Sequence, residues 1–199
     1  MQLSASAIVV AARAHGETAS IARVLTEEFG LVAGYVAGGR GRQLRPVLIP
    51  GNRVAAELSA RSDSQLPFLK LELVESRGPW LAEPLPAAAI AWVTTLAAAV
   101  LPERNPYPTI YNALSATLDA ICHAPSARGW LRAVLGYEAL VLRELGYGGA
   151  APPEADLAAL LELFARQAAP LERYLLADRK GDAMAARAML GERLEKLKP

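Results

Sequence analysis

The chain has 199 residues, which is enough for one large domain or two small ones. Hydrophobic residues make up 53% of it and charged residues 21%, so it can bury a core and is not disordered along its length. The formal net charge is only +1, which excludes a globally basic nucleic-acid binder and leaves a local basic patch as the alternative.

The first 80 residues contain short β-type runs that are separated by glycine and proline turns. Residues 20–26 fit a helical face or a strand about equally well. Five short strands at this spacing predict a small β-barrel, which we place at residues 1–80. The runs that predict strands, apart from the ambiguous one, are 7–12, 31–36, 52–61 and 68–74.

From residue 81 to residue 199 the chain is rich in alanine and leucine at helical spacing, which predicts an all-helical domain and therefore an α+β fold class. The last helix carries charge on several sides, including Arg187 and Glu192, which predicts a solvated terminal helix, with a docking helix as the alternative. The predicted helices are 86–101, 109–123, 128–147, 157–169, 171–176 and 183–197.

A basic loop rich in glycine follows the third predicted strand. Between residues 34 and 53 there is no acidic residue, and the four arginines are Arg40, Arg42, Arg45 and Arg53. Glycines at 38, 39 and 41 let the backbone turn sharply and approach a phosphate, and guanidinium groups bind phosphate oxygens bidentately. The loop favours contact with a nucleic-acid backbone, but a merely solvated hairpin loop has the same composition.

Other residues of the first domain would extend this patch if they share its face. Tyr35 is the aromatic residue best suited to stack on an unpaired base, although a core position is the alternative for Tyr35 and for Phe68. The alternative for each basic residue is an ordinary water-facing position on a strand. The basic residues in question are Arg13, Arg23, Arg61 and Lys70.

Catalytic and metal-binding chemistry has little support in the sequence. His15 and Glu17 lack a serine in a nucleophile-elbow context, and GGRGR lacks the Lys-Ser/Thr ending of a P-loop. Cys122 and His123 are adjacent on a helix and point about 100° apart, so they do not form a nucleophile and base. Because Cys122 is the only cysteine, disulfide and cysteine-zinc sites are excluded. We predict a non-enzyme without metal or cofactor.

The sequence gives no indication of membrane contact. No basic segment precedes the first apolar run, and Arg13 interrupts that run, so it does not resemble a signal peptide. The most apolar stretch, residues 87–101, is shorter than the ~20 residues that a membrane span requires. We therefore predict a cytoplasmic protein.

A cluster at the start of the long third helix contains Arg128, Trp130 and Arg132. An apolar groove rimmed by arginine suits the acidic, hydrophobic tail of a partner protein. The alternative is that Trp130 belongs to the core and that the two arginines are ordinary surface residues.

Several elements together resemble the bacterial RecO family of recombination mediators. No single element is specific, but their order and spacing are, and the resemblance covers about residues 5 to 148. In chain order the elements are a strand at 8–10, Gly-Glu-Thr at 16–18, a turn at 26–30, the basic stretch at 38–45, Leu-Ile-Pro at 48–50, and the segments 71–76 and 137–146.

The resemblance implies an amino-terminal OB-fold, followed by a helical domain. It implies that residues 20–26 form a strand that pairs with 31–36 through a turn at 27–30. The implied activity is non-catalytic: such proteins bind single- and double-stranded DNA, anneal complementary strands, and help load RecA onto DNA coated by single-stranded DNA-binding protein. They act with RecR, and their helical domain recognises the acidic tail of the coating protein.

The resemblance also assigns roles to individual residues. It makes Arg40, Arg42 and Arg45 expected DNA contacts, with Arg13, Arg23, Lys70 and Tyr35 extending the surface. Arg128 and Arg132, beside Trp130, become expected tail contacts. A nucleoid-associated location in the cytoplasm follows from this activity. An RNA-binding OB-fold protein and a non-catalytic protein adaptor remain alternative functions.

Two departures from the family accompany this resemblance. Many members carry a four-cysteine zinc site after the long helix, whereas Cys122 precedes that helix and the sequence passes directly from Gly149 to Pro153. We therefore expect the zinc module to be missing. The lysine that is common in the basic stretch of the family is replaced here by arginine or glutamine, as at Gln43.

Overall fold

The computed structural model describes residues 2–60, 66–177 and 183–197. The chain forms two units, one made of Met1–Pro79 and Leu101–Tyr111 and the other of Trp80–Val100 and Asn112–Pro199. The segment 101–111 thus returns to the first unit, although it follows the first long helix of the second. Arg61 lies outside the described residues.

A closed β-barrel forms the first unit, as predicted. Its strands are arranged β1-β2-β3-β5-β4, with β3 and β5 parallel and the other neighbours antiparallel, which is the five-stranded Greek-key topology of an OB-fold. The first strand pairs with both β2 and β4 and is irregular between Val9 and Ala11. Among the described residues the strands are β1 (Gln2–His15), β2 (Ala19–Thr26), β3 (Gly30–Val36), β4 (Arg53–Ser59) and β5 (Phe68–Glu75).

The barrel core is formed by alternate residues of each strand, as the two-residue period of a strand requires. In β2, Ala22 and Val24 point inward, while Ile21 and Arg23 remain partly exposed. This confirms that residues 20–26 form a strand. The inward residues of β4 and β5 join the same core, together with Val47 and Leu48 of the β3–β4 connection.

The segment 101–111 lies against the beginning of β3. Arg104 N–H donates to the Leu31 carbonyl at 2.9 Å, and Glu103 forms a parallel bridge with Leu31 and an ion pair with Arg23 at 3.3 Å. Gly30 has φ +69°, and a β-carbon there would overlap the carbonyl of Asn105. The approach of this segment therefore requires glycine at position 30.

Helices follow the barrel, as predicted, and none of those described is both long and apolar enough to cross a membrane. A short 3₁₀ turn at Gly78–Ala82 precedes the first helix, and a π-helical turn at Leu171–Leu176 follows the fourth. Asp156 caps the fourth helix, since its side chain accepts a hydrogen bond from Ala159 N. The helices of the described chain are α1 (Pro84–Val100), α2 (Pro108–His123), α3 (Ala127–Glu144), α4 (Leu157–Pro170) and α5 (Ala183–Glu195).

The solvated position predicted for the last helix is wrong, and the alternative of a docking helix agrees with its packing. Helix α5 packs against α1, and the residues that it buries are Ala183, Arg187, Leu190 and Leu194. Their spacing of four, three and four places them on one face of the helix. Arg187 can occupy this face because its guanidinium forms two hydrogen bonds with the buried Glu138 carboxylate, both at 2.9 Å.

Candidate nucleic-acid interface

The connection between β3 and β4 contains the basic loop and is fixed at its far end by a buried asparagine. Asn52 is 0% exposed. Its side-chain amide donates to the carbonyls of Pro46 and Val47 at 2.8 and 3.1 Å, and its side-chain oxygen accepts from Arg77 N at 2.7 Å. Sequence reasoning missed this residue, because an asparagine after a glycine in a turn is ordinary.

The start of the same loop is held against the β1–β2 turn. Gly38 has φ +68°, and a β-carbon on Gly39 would lie 2.8 Å from the Ser20 β-carbon, so both positions require glycine. Arg40 N–H donates to the Thr18 carbonyl at 3.0 Å. The Arg40 Nη1 donates to the carbonyls of Gly16 and Glu17, each at 2.9 Å. Arg40 therefore positions the turn in addition to presenting charge.

Three of the predicted DNA-contact residues line one cavity, which we call the arginine cavity. Its volume is about 410 Å³, and Arg13, Arg40 and Arg45 contribute to its wall. None of the described residues that line it carries a carboxylate, and none of these three arginines belongs to an ion pair described in the structure. A concave site of this charge suits phosphate oxygens. The remaining lining residues are Ala12, Ala14, Ser20, Gly39 and Leu48.

The other predicted basic contacts lie outside this cavity. Arg42 is exposed on the same loop but is not among the lining residues. Arg23 forms its ion pair with Glu103. Lys70 lies 3.4 Å from the Glu57 carboxylate, and the side chains of Lys70 and Glu57 are each more than half exposed. Exposed pairs of this kind contribute little to stability and exchange partners easily.

Tyr35 lies in a small group of aromatic rings on the barrel surface. Its ring centroid is 5.4 Å from that of Phe68 and 5.9 Å from that of His15, with both contacts edge to face. Tyr35 is half-buried, whereas Phe68 is 62% exposed. The core position considered for Phe68 is therefore wrong, and the structure presents its ring to solvent.

The arginine cluster predicted to bind a partner tail lies in the helical unit. Arg128 and Arg132 are exposed one helical turn apart on α3, and Arg132 lies 3.7 Å from the Glu154 carboxylate. Trp130 is only 2% exposed, which agrees with the alternative that its ring belongs to the core. The two arginines remain expected contacts, but the ring of Trp130 does not present a surface to a partner.

A buried ionic network in the helical unit has no counterpart in the sequence predictions. The Glu138 carboxylate accepts from Trp92 Nε1 at 2.7 Å and from Gln167 Nε2 at 2.9 Å, in addition to the Arg187 guanidinium. Complete burial raises the pKa of Glu138, and the positive charge and hydrogen bonds of its partners oppose this effect. The Arg187 guanidinium also lies 3.8 Å from the centroid of the Phe164 ring.

The residues of this chain do not fit a four-cysteine zinc site. Cys122 is the only cysteine of the sequence, and it is buried in α2. A zinc site of that type needs four thiolate ligands, so no such site can form from this chain alone.

A closed Greek-key barrel with an arginine cavity beside its first turn, joined to a helical unit, defines a two-unit OB-fold protein. Residues 1–77 match the family model described as Recombination protein O N terminal, and residues 84–150 match the model described as Recombination protein O C terminal. The chain belongs to the Recombination protein O family.

Curated relatives of similar sequence share the name DNA repair protein RecO. The relative from Rhodospirillum centenum is 42% identical over 149 residues, which covers 74% of this chain and 58% of the relative. The relatives from Phenylobacterium zucineum and Paracoccus denitrificans are 39% and 38% identical, and in each the match covers 74% of this chain and 60% of the relative. The chain thus spans about three fifths of the length of these relatives.

Proposed function

We infer that this chain is a DNA repair and recombination mediator that binds single- and double-stranded DNA by its sugar-phosphate backbone. The observation that carries this proposal is the convergence of Arg13, Arg40 and Arg45 on one cavity whose described lining residues include no carboxylate. Membership of the Recombination protein O family supports the same conclusion. Binding of this kind depends on phosphate contacts and not on base sequence.

Annealing of complementary strands follows from the same chemistry. Two DNA strands repel each other through their phosphates, and a cationic surface that binds the backbone lowers this repulsion while the base edges remain free to pair. The side chains at the arginine cavity bind and neutralise charge, and the proposed role involves no bond-making step and no cofactor.

The helical unit is proposed to dock the protein partners. Its exposed Arg128 and Arg132 would bind the acidic carboxyl-terminal tail of single-stranded DNA-binding protein by charge-assisted hydrogen bonds. In this proposal the protein acts with RecR and assists the loading of RecA onto coated DNA. The support for these partners is family membership, together with the exposure of the two arginines.

The salt dependence of DNA binding tests the arginine cavity. In the double variant Arg13→Ala, Arg45→Ala, two phosphate contacts are removed, so the negative slope of log affinity against log salt should become shallower by about 1.4 for a single strand, at ~0.7 per contact. Fluorescence anisotropy of a labelled oligonucleotide at several salt concentrations measures this slope. Arg40 is left intact in this variant because it also holds the β1–β2 turn.

Arg42→Ala is the comparison variant within the loop, since Arg42 is also an expected DNA contact but is exposed outside the cavity. We expect this variant to change the slope less than either substitution in the cavity. A double variant with the wild-type slope would exclude the arginine cavity as the DNA site. Competition with RNA of the same sequence separates the proposal from the RNA-binding alternative, because only RNA offers a 2′-hydroxyl.

A further inference from the structure

The strand register places one residue from each strand of the barrel in a single row on its outer face. Arg13 of β1 pairs with Ile21 of β2, Ile21 with Tyr35 of β3, Tyr35 with Phe68 of β5, and Phe68 with Ser59 of β4. Residues directly opposite in neighbouring strands project to the same side of a sheet. All five are partly or fully exposed, and we call them the outer row.

The two rings in the middle of the outer row form a platform that is held in place. Tyr35 N–H donates to the Pro67 carbonyl at 2.8 Å, which fixes β3 beside the start of β5. The ring of Phe68 rests edge to face on Tyr35 at an interplanar angle of 80°. Yet Phe68 is 62% exposed, so this platform leaves most of a large apolar side chain in water.

A second cavity lies beside this platform, with a volume of about 280 Å³. Tyr35, Phe68 and Leu44 of the basic loop contribute to its wall, as does the exposed ion pair of Lys70 and Glu57. The next residue along the chain, Arg45, lines the arginine cavity. Consecutive residues of the basic loop therefore line a largely apolar cavity with aromatic rings and a cationic cavity.

The rest of the β2–β3 outer face is less accessible. Leu25 and Leu31 are both 0% exposed, and the segment 101–111 bonds to the backbone of Leu31. Strands 2 and 3 of an OB-fold commonly provide the face that binds oligonucleotides. In this chain the accessible part of that face is the end that carries the outer row.

We propose that Tyr35 and Phe68 form a binding site for an unpaired nucleobase, placed beside the arginine cavity that holds the adjoining phosphates. The ring of Phe68 presents an exposed surface on which a base can stack, and Arg13 supplies positive charge at one end of the outer row. The charge of Lys70 is shared with its partner Glu57. Bases in a duplex are already stacked on each other and offer no free face, so this site favours single strands. The proposal rests on the DNA-binding function inferred above.

Abasic DNA separates base contacts from phosphate contacts. Wild-type protein is titrated with an oligothymidine, with an abasic strand of the same length, and with a duplex. In Phe68→Ala the affinity for oligothymidine should fall about tenfold, the scale of one base stacked on one aromatic ring. The affinities of the abasic strand and of the duplex should remain at their wild-type values, and the salt slope should not change.

Val74→Ala is the control, because Val74 is also on β5 and is 60% exposed but lies outside the outer row. Phe68→Tyr keeps the ring and should retain wild-type affinity. Equal binding of oligothymidine and abasic strand by wild-type protein would overturn the base site and leave the backbone-binding function intact. So would a Phe68→Ala variant with unchanged oligothymidine affinity, the result expected if Phe68 contacts a protein partner. Wild-type protein that binds none of the three DNAs would overturn both proposals.

Discussion

At the scale of single residues, Gly30 shows how one missing side chain positions a whole segment. We expect Gly30→Ala to destabilise the protein by at least about 1 kcal/mol, because alanine is strained at positive φ and its β-carbon would overlap the Asn105 carbonyl. Urea unfolding monitored by circular dichroism measures the change.

Gly16→Ala is a closely matched control for this substitution. Gly16 has φ +61°, similar to the +69° of Gly30, but a β-carbon at Gly16 would meet no atom within 4 Å. The difference between the two variants therefore isolates the contact with the segment 101–111. If both variants lose the same stability, the backbone strain alone accounts for the effect and the close approach of Asn105 contributes nothing.

Single residues also differ in how far the sequence reveals their role. The exposed basic loop that carries Arg40 and Arg45 was predictable, because three glycines and an absence of acidic residues mark it, and their DNA contacts stay a prediction. Asn52 and Glu138 were not, because each is buried with partners from distant parts of the sequence. The register that places Phe68 beside Tyr35 likewise cannot be predicted from the β5 sequence, because an alternating apolar run could turn either of its two faces toward the barrel core.

At the scale of elements, the helical unit depends on one ion pair that connects α3 with α5. Arg187→Met should destabilise the protein by about 3–5 kcal/mol, because it leaves the Glu138 carboxylate buried without its positive partner. Adding Glu138→Gln should recover a large part of this loss, since a neutral amide carries no buried charge and its oxygen can still accept from Trp92 Nε1. Equilibrium denaturation of the wild type, both single variants and the double variant gives the coupling energy. Additive losses would show that the pair is not coupled.

The ends and faces of elements were harder to predict than their presence. Strand β1 runs from Gln2 to His15, well beyond the apolar run at 7–12, because its two halves pair with different strands. A solvated position was the first expectation for helix α5, ahead of a docking one, because charged residues usually face water. Burial of Arg187 depends on Glu138, almost fifty positions earlier in the chain, and a helical pattern contains no information about such a partner.

At the scale of the whole molecule, two candidate binding sites lie in different units. The arginine cavity and the outer row belong to the barrel unit, and Arg128 and Arg132 belong to the helical unit. The barrel and the helical character of the second unit could be predicted from residue patterns and a family resemblance. A net charge of +1 conceals the basic cavity, because that charge is local and is balanced by acidic residues elsewhere.

The separation of the two sites makes their functions independently testable. Arg128→Ala with Arg132→Ala should weaken binding of a synthetic acidic peptide, the carboxyl-terminal tail of single-stranded DNA-binding protein, by about tenfold, since charge-assisted hydrogen bonds are lost. The Arg132–Glu154 pair is exposed and long, at 3.7 Å, so Arg132 can exchange it for a peptide carboxylate. Anisotropy of the labelled peptide measures this change, and DNA affinity should be unaffected.

Arg143→Ala is the control, because Arg143 is an exposed arginine near the other end of α3. This variant should bind the peptide as the wild type does. Equal losses in all of these arginine variants would indicate a diffuse electrostatic effect, whereas a loss confined to the Arg128 and Arg132 variant requires a local site on the first turns of α3.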